Sequence, residues 1–160
     1  MIMLQACFIR VEVKKRELIS RTDLAIEMVR RGVPVILGEC YNLNDLKKIG
    51  IDKGYYFGKC AQPSLLKNLK PLLDRGWSFG ALDEEGLLPD SLESFAMNRF
   101  SNESAEIFND FFFFGEEQKE YFDKIFGPRE SFVVSGNPRT DMWRSKYYGL
   151  HNQSIQDIKK

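Results

Sequence analysis

The sequence predicts an α/β fold built on a mainly parallel sheet of about six strands. Short apolar runs alternate with amphipathic, helix-like segments along most of the chain. Parallel strands need helical crossovers and are buried on both faces, so their sequences are apolar runs without polar alternation. With 160 residues, 43% of them hydrophobic, the chain can bury the core of one domain. The pattern therefore indicates a Rossmann-like, doubly wound architecture.

Six apolar runs predict the strands, at residues 6–13, 33–38, 54–59, 77–82, 109–115 and 131–136. Helices are predicted between them, at residues 17–32, 42–50, 63–76, 89–100, 102–108 and 116–126. The first helix presents one face that we expect to point inward, formed by Leu18, Thr22, Ala25, Ile26 and Val29. The third helix has an inward leucine stripe, and Pro71 within it predicts a kink or an early end.

Charge and composition exclude several function classes. Lys plus Arg number 23 and Asp plus Glu number 23, so the chain lacks the basic field that nucleic acid selects. No apolar run approaches the roughly 20 residues that cross a bilayer. The charges near the start follow the apolar run, which is the reverse of a secretory signal. We therefore expect a cytoplasmic protein that does not bind nucleic acid.

The three cysteines do not indicate a metal site. Cys7, Cys40 and Cys60 are odd in number and widely spaced, and the only histidine, His151, is far from them in sequence. We therefore predict reduced thiols packed as small apolar groups, with no disulfide framework and no zinc site. We also expect no cofactor.

Charged and polar residues follow most of the predicted strands, where the loops of a parallel sheet converge on its ligand-binding edge. In chain order these residues are Glu12, Lys14, Lys15, Arg16, Lys59, Asp83, Glu84, Glu85, Glu116, Glu117, Asn137, Arg139 and Asp141. We expect the cations after the first strand, the carboxylates after the fourth and the turn at Asn137 to share one edge.

Two charge runs at this edge each allow a structural and a functional interpretation. The acidic run 83–85 is either a solvated loop or the mouth of a cleft, where crowded carboxylates raise one another's pKa. The basic run 14–16 lies where a helix begins, and the helix dipole disfavours cations there. Either the neighbouring Glu12 and Glu17 or a phosphate-bearing ligand compensates this basic run.

The segment VSGNPRTDMW at residues 134–143 resembles the end of the N-terminal domain in GT-B-type sugar enzymes. UDP-N-acetylglucosamine 2-epimerases and CDP-glycerol glycerophosphotransferases carry a similar Gly-Asn-Pro or Gly-x-Pro-Arg signature. Here Gly136 permits a sharp exit from the strand, Pro138 fixes φ, and we expect Thr140 to cap the next helix. Together with VEVKKREL, RGVPVILG and LDEEGL, this segment makes the chain resemble bacterial surface carbohydrate biosynthesis proteins, which are GT-B-like glycosyltransferases.

This resemblance implies an enzyme of capsule or lipopolysaccharide assembly, which transfers a sugar from a nucleotide-sugar donor to a glycan acceptor without a metal. It implies an acceptor-side domain over 1–146, then a linker and the start of a second, donor-binding domain at 147–160. The implied catalytic residues are Glu84 and Glu85, with Asp83 third. The implied substrate-binding residues are Glu12, Lys14, Lys15, Arg16, Asn137, Arg139 and Asp141. Peripheral association with the inner membrane and self-association through the exposed cleft face are compatible with this reading.

The alternative is a freestanding α/β binding or interaction module without catalysis of its own. A receiver domain needs acidic residues after the first strand, and a flavodoxin needs a Ser/Thr/Gly-rich phosphate loop there. The sequence has Lys-Lys-Arg at this position instead. These two kinds of module are therefore disfavoured, and a pure interaction module stays open.

Overall fold

The computed structural model describes residues 4–39, 48, 50–83, 85 and 91–144. Within them, one sheet contains β1 (Leu4–Arg10), β2 (Val35–Gly38), β3 (Ile51–Gly58), β4 (Ser78–Leu82), β5 (Asp110–Phe113) and β6 (Phe132–Val134). The accompanying helices are α1 (Lys14–Arg30), α2 (Pro63–Leu73), α3 (Leu92–Arg99), α4 (Asn102–Ile107), α5 (Glu116–Phe126) and α6 (Pro138–Asp141). Most of the helix predicted at 42–50, and the linker predicted at 147–160, lie outside the described residues.

All neighbouring strands pair in parallel, in the order β2-β1-β3-β4-β5-β6. The chain steps from β1 to β2 in one direction and from β3 through to β6 in the other. Because β-α-β crossovers are right-handed, this reversal places α1 on one face and α2 to α5 on the opposite face. The fold is thus α/β, Rossmann-like and doubly wound, as predicted. Its topological switch point lies between β1 and β3.

The face covered by α2 to α5 holds the main core, in which phenylalanine rings dominate. Phe111 and Phe113 of β5 point to this face, because alternate residues of a strand share a side. Their ring centroids lie 5.4 and 4.8 Å from that of Phe122 in α5, and all three side chains are at most 1% exposed. Burying each ring contributes about 1.5–3 kcal/mol, so this cluster fixes α5 against the sheet.

The opposite face is covered by α1 and α6 and has a smaller core. The inward face predicted for α1 is wrong at Ile26 and Val29, which are 44% and 57% exposed. Glu17 and Arg21 are buried instead, and Ala25 is the one member of the predicted face that is fully buried. The helix therefore turns polar side chains towards the sheet, which an amphipathic pattern does not predict.

Several boundaries differ from the predicted ones by a few residues. Strand β1 ends at Arg10 and α1 begins at Lys14, so Glu12 and Val13 form the turn between them. Helix α2 contains Pro71 and ends two residues later at Leu73, which is the early end that the proline predicted. The basic run 14–16 consequently lies within the first turn of α1 rather than before it.

Candidate functional site

The carboxyl ends of β1, β3 and β4 lie next to one another at one edge of the sheet, because these strands are parallel neighbours. The residues that follow β1 and β3 flank the switch point, where the loops of doubly wound sheets generally separate and leave a ligand-binding crevice. Glu12 follows β1 and Lys59 follows β3. The two loops that border this crevice therefore carry opposite charges.

Glu12 and Lys59 form an ion pair across the switch point. Oε2 of Glu12 contacts Nζ of Lys59 and lies 3.5 Å from Nη2 of Arg10. The hydrogen bond from Lys59, followed by the charge of Arg10, holds the pKa of the Glu12 carboxyl below its ordinary value despite partial burial. The Glu12 side chain is 34% exposed, so a ligand in the crevice can reach this carboxylate.

The turn between β1 and α1 is closed by the side chain of Glu17, which is 0% exposed. Its Oε2 accepts hydrogen bonds from the backbone N–H groups of Glu12, at 2.7 Å, and Val13, at 3.2 Å. Its Oε1 accepts from Nη2 of Arg16 at 2.9 Å. Burial alone raises the pKa of Glu17, but these hydrogen bonds outweigh burial and the pKa is lowered. Arg16, one of the predicted substrate-binding residues, thus pairs with an internal carboxylate.

Lys14 and Lys15 lie on the first turn of α1 and are exposed to solvent. They are at the same edge of the sheet as Glu12, because α1 begins where β1 ends. The unfavourable position of these cations at a helix start is compensated in part by the buried carboxylate of Glu17. This is the structural interpretation of the basic run, and it needs no ligand.

The acidic run separates into a buried and an exposed part. Asp83 is 2% exposed and accepts two hydrogen bonds from Arg99 of α3, from Nε at 2.7 Å and from Nη2 at 3.1 Å. Its Oδ1 also accepts from the backbone N–H of Glu85 at 2.9 Å. Asp83 therefore anchors the loop after β4 and is enclosed by its partners. Glu84 lies outside the described residues.

Burial, rather than a neighbouring carboxylate, is the main cause of the shifted pKa of Asp83. Burial raises this pKa above its ordinary value, the Arg99 hydrogen bonds offset part of the rise, and the charge of Glu85 adds only a small increase. Glu85 itself points outward, with a side chain that is 57% exposed and lies 3.3 Å from Nη1 of Arg99. Of the described acidic residues in the run, Glu85 is the one that a ligand can reach.

The turn after β6 contains the residue that caps the N-terminus of α6. Asn137 is 4% exposed, and its Oδ1 accepts from the backbone N–H of Arg139 at 2.8 Å. Asn137 is therefore the cap of α6, and the prediction that Thr140 has this role is wrong. Thr140 lies inside the helix and donates its hydroxyl to the backbone oxygen of Asn137 at 2.8 Å. Asp141 pairs with Arg144 at 3.0 Å.

The sequence did not predict two of the ion pairs that organise this edge. Arg99 lies on α3, 16 residues after Asp83, and no spacing rule connects the two. Lys59 was recognised at the end of its strand but not as the partner of Glu12. Its charge is opposite to that of Glu12, and it directly follows β3, the neighbour of β1 in the sheet; this signal could have identified the pair once the strand order was known.

Two other cavities offer space for a ligand. One of about 520 Å³ lies between α1 and α6; it is lined mainly by apolar side chains, among them Leu24 and Phe112, and also by Asp141, one of the predicted substrate-binding residues. The other, of about 540 Å³, lies at the amino ends of the strands near Ser78. Neither is lined by Glu12 or Lys59. We assign the candidate site to the switch point because charge and topology coincide there.

The described residues contain no group of three or more His, Cys, Asp and Glu side chains that could hold a metal ion. Among the helices in the described ranges, none is long and apolar enough to cross a membrane. No protein-family model matches the chain, and no curated protein shows a significant match to it. The geometry of the carboxyl edge is therefore the basis of the functional argument.

Proposed function

We propose that this chain forms the N-terminal, acceptor-side domain of a GT-B-like glycosyltransferase of bacterial surface polysaccharide biosynthesis. The enzyme transfers a sugar from a nucleotide-sugar donor to a glycan acceptor in capsule or lipopolysaccharide assembly. The doubly wound parallel sheet is compatible with this role. The motif resemblance of residues 134–143 also supports it.

The observation that carries the proposal is the Glu12–Lys59 pair at the switch point. The lowered pKa keeps Glu12 ionised, so its oxygens can accept charge-assisted hydrogen bonds from sugar hydroxyl groups, and the ammonium group beside it can donate to sugar oxygens. Glu85 adds a second reachable carboxylate after β4, the strand beside β3. This distribution of charge suits a polar, hydroxyl-rich ligand better than an apolar one.

The carboxylates take different roles under this proposal. Glu12 binds the acceptor, because a carboxyl with a lowered pKa is a weak proton acceptor near neutral pH. Glu85 remains the base candidate among the described residues, with Glu84 beside it in the chain. Asp83 acts as a positioning residue, because Arg99 and the backbone of Glu85 occupy its oxygens. The donor nucleotide is held mainly by a second domain.

Binding measurements with matched variants test the proposal. A panel of bacterial surface oligosaccharides is titrated into the chain while affinity is followed by NMR. Loss of a charged hydrogen bond costs about 1.5–3 kcal/mol, so Glu12→Gln should weaken binding of a responding glycan roughly tenfold or more. Glu27→Gln is the matched control, because Glu27 forms an exposed pair with Arg30 near the other end of α1. Its affinity should equal that of the wild type.

Two results would contradict the proposal. One is that no glycan of the panel binds the wild-type chain. The other is that Glu12→Gln binds as tightly as the Glu27→Gln control, since the switch-point carboxylate would then have no part in recognition.

One observation favours the alternative of a binding module without catalysis. Asp83, the first residue of the acidic run, is buried and fully engaged by protein groups. A module of this kind binds the glycan but leaves nucleotide sugars intact. Mass spectrometry separates the two if the chain is joined to the donor-binding domain that the proposal requires and mixed with glycan and nucleotide sugar, because only an enzyme gives transferred or hydrolysed sugar.

A further inference from the structure

The turn between β1 and α1 is the place where many Rossmann-like sheets bind phosphate, through backbone N–H groups at the start of the helix. In this chain the turn is already filled by a carboxylate of the chain itself. The N–H groups of Glu12 and Val13 both donate to one oxygen of Glu17, at 2.7 and 3.2 Å. Two amide donors of this turn, immediately before α1 begins, are therefore used internally.

The electrostatics of the turn reinforce this conclusion. Glu17 is 0% exposed, so its negative charge is held inside the turn rather than in solvent. The nearest cation of the basic run, Arg16, donates Nη2 to the other oxygen of the same carboxylate at 2.9 Å. A phosphate group entering the turn would meet a buried like charge and lose both amide donors.

We infer that Glu17 is an internal substitute for a phosphate group and makes this turn reject phosphate-bearing ligands. It is thus a specificity-determining residue at the switch point. The inference goes beyond the proposed function and does not depend on it, since it concerns only which anion occupies the turn.

A titration with inorganic phosphate, followed by the backbone amide NMR signals of Glu12 and Val13, tests the inference. The wild-type chain should show no saturable shift of these two signals. Glu17→Ala empties the turn and should bind phosphate saturably, at least about tenfold more tightly than Glu17→Gln. Glu17→Gln is the matched control, because its side-chain oxygen can still accept from the turn and keep it filled.

The outcomes separate clearly. A saturable shift of the Glu12 and Val13 amides in the wild type would overturn the inference. So would a folded Glu17→Ala chain whose amides do not respond. If Glu17→Ala is unfolded, phosphate should restore the folded NMR spectrum, whereas chloride at equal ionic strength should not. Failure of phosphate to restore the folded spectrum would count against the inference. Failure of every glycan titration contradicts the proposed function and leaves these phosphate results unchanged.

Discussion

Replacing Arg99 by leucine tests how the acidic loop after β4 is held. Leucine keeps part of the apolar volume of the arginine and removes its charge. Asp83, which is 2% exposed in the wild type, then loses its cation and keeps the hydrogen bond from the backbone N–H of Glu85. Breaking a buried ion pair by removing one partner costs roughly 3–5 kcal/mol. The exposed contact between Arg99 and Glu85 adds little to this, because such pairs contribute about 0–1 kcal/mol.

Denaturant unfolding followed by circular dichroism measures this cost. For a domain of this size, a loss of about 3–5 kcal/mol corresponds to a fall of roughly 6–20 °C in the melting temperature. Arg30→Leu is the matched control, since Arg30 and its partner Glu27 are 69% and 51% exposed. The control should lose about 1 kcal/mol or less. Equal losses in the two variants would refute the reasoning.

The pH dependence of Arg99→Leu gives a second, independent check. Burial raises the pKa of Asp83 in the folded state above the ordinary Asp value of 3.8. The folded state therefore binds the proton of Asp83 more tightly than the unfolded state does. This stabilisation is fully present below pH 3.8 and is lost as the pH rises through the folded-state pKa. The hydrogen bonds and the charge of Arg99 lower this pKa, so removing Arg99 raises it further and extends the loss of stability to higher pH. The variant should therefore approach wild-type stability in acid and fall furthest behind it near neutral pH. A deficit that is constant with pH would contradict the role of the buried carboxylate.

Three further predictions concern the switch point and the packing around it. Lys59→Met should raise the pKa of Glu12 towards its ordinary value, measured by NMR titration of the carboxyl carbon, and an unchanged pKa would contradict the pairing. Gly80→Ala should destabilise the fold by about 1–3 kcal/mol in denaturant unfolding, because a Cβ there would lie 1.8 Å from the hydroxyl oxygen of Tyr55. A variant as stable as the wild type would contradict this and show that Tyr55 moves aside freely. Asn137→Ala should cost about 1 kcal/mol through loss of the α6 cap, whereas Asn137→Ser should retain most of the stability.

The strands and their common edge could be predicted because parallel strands leave a strong signal in sequence. Each is a short apolar run, and the parallel arrangement alone places the residues after β1, β4 and β6 at one edge. The placement of Glu12, Asp83 and Asn137 at this edge follows from that single inference. The strand boundaries and the start of α1 were less accurate, because the ends of elements depend on caps and turns.

The details of the site depend on contacts that the sequence pattern does not encode. Hydrophobic periodicity predicted that Ile26 and Val29 face inward, but both are exposed. Helix α1 buries Glu17 instead, because its carboxylate accepts hydrogen bonds from the turn before the helix. The acidic run was treated as one group, but Arg99 on α3 draws Asp83 inward and leaves Glu85 at the surface. Such pairings join residues far apart in sequence, and they become visible only when the helices are placed.

The most direct test of the central claim is a chemical-shift map of the chain with a responding glycan bound. The account predicts that the largest shifts fall at the carboxyl edge, on the backbone amides of Glu12, Lys59 and Glu85. Shifts concentrated instead around the cavity at the amino ends of the strands, near Ser78, would contradict it. So would shifts confined to the apolar cavity between α1 and α6.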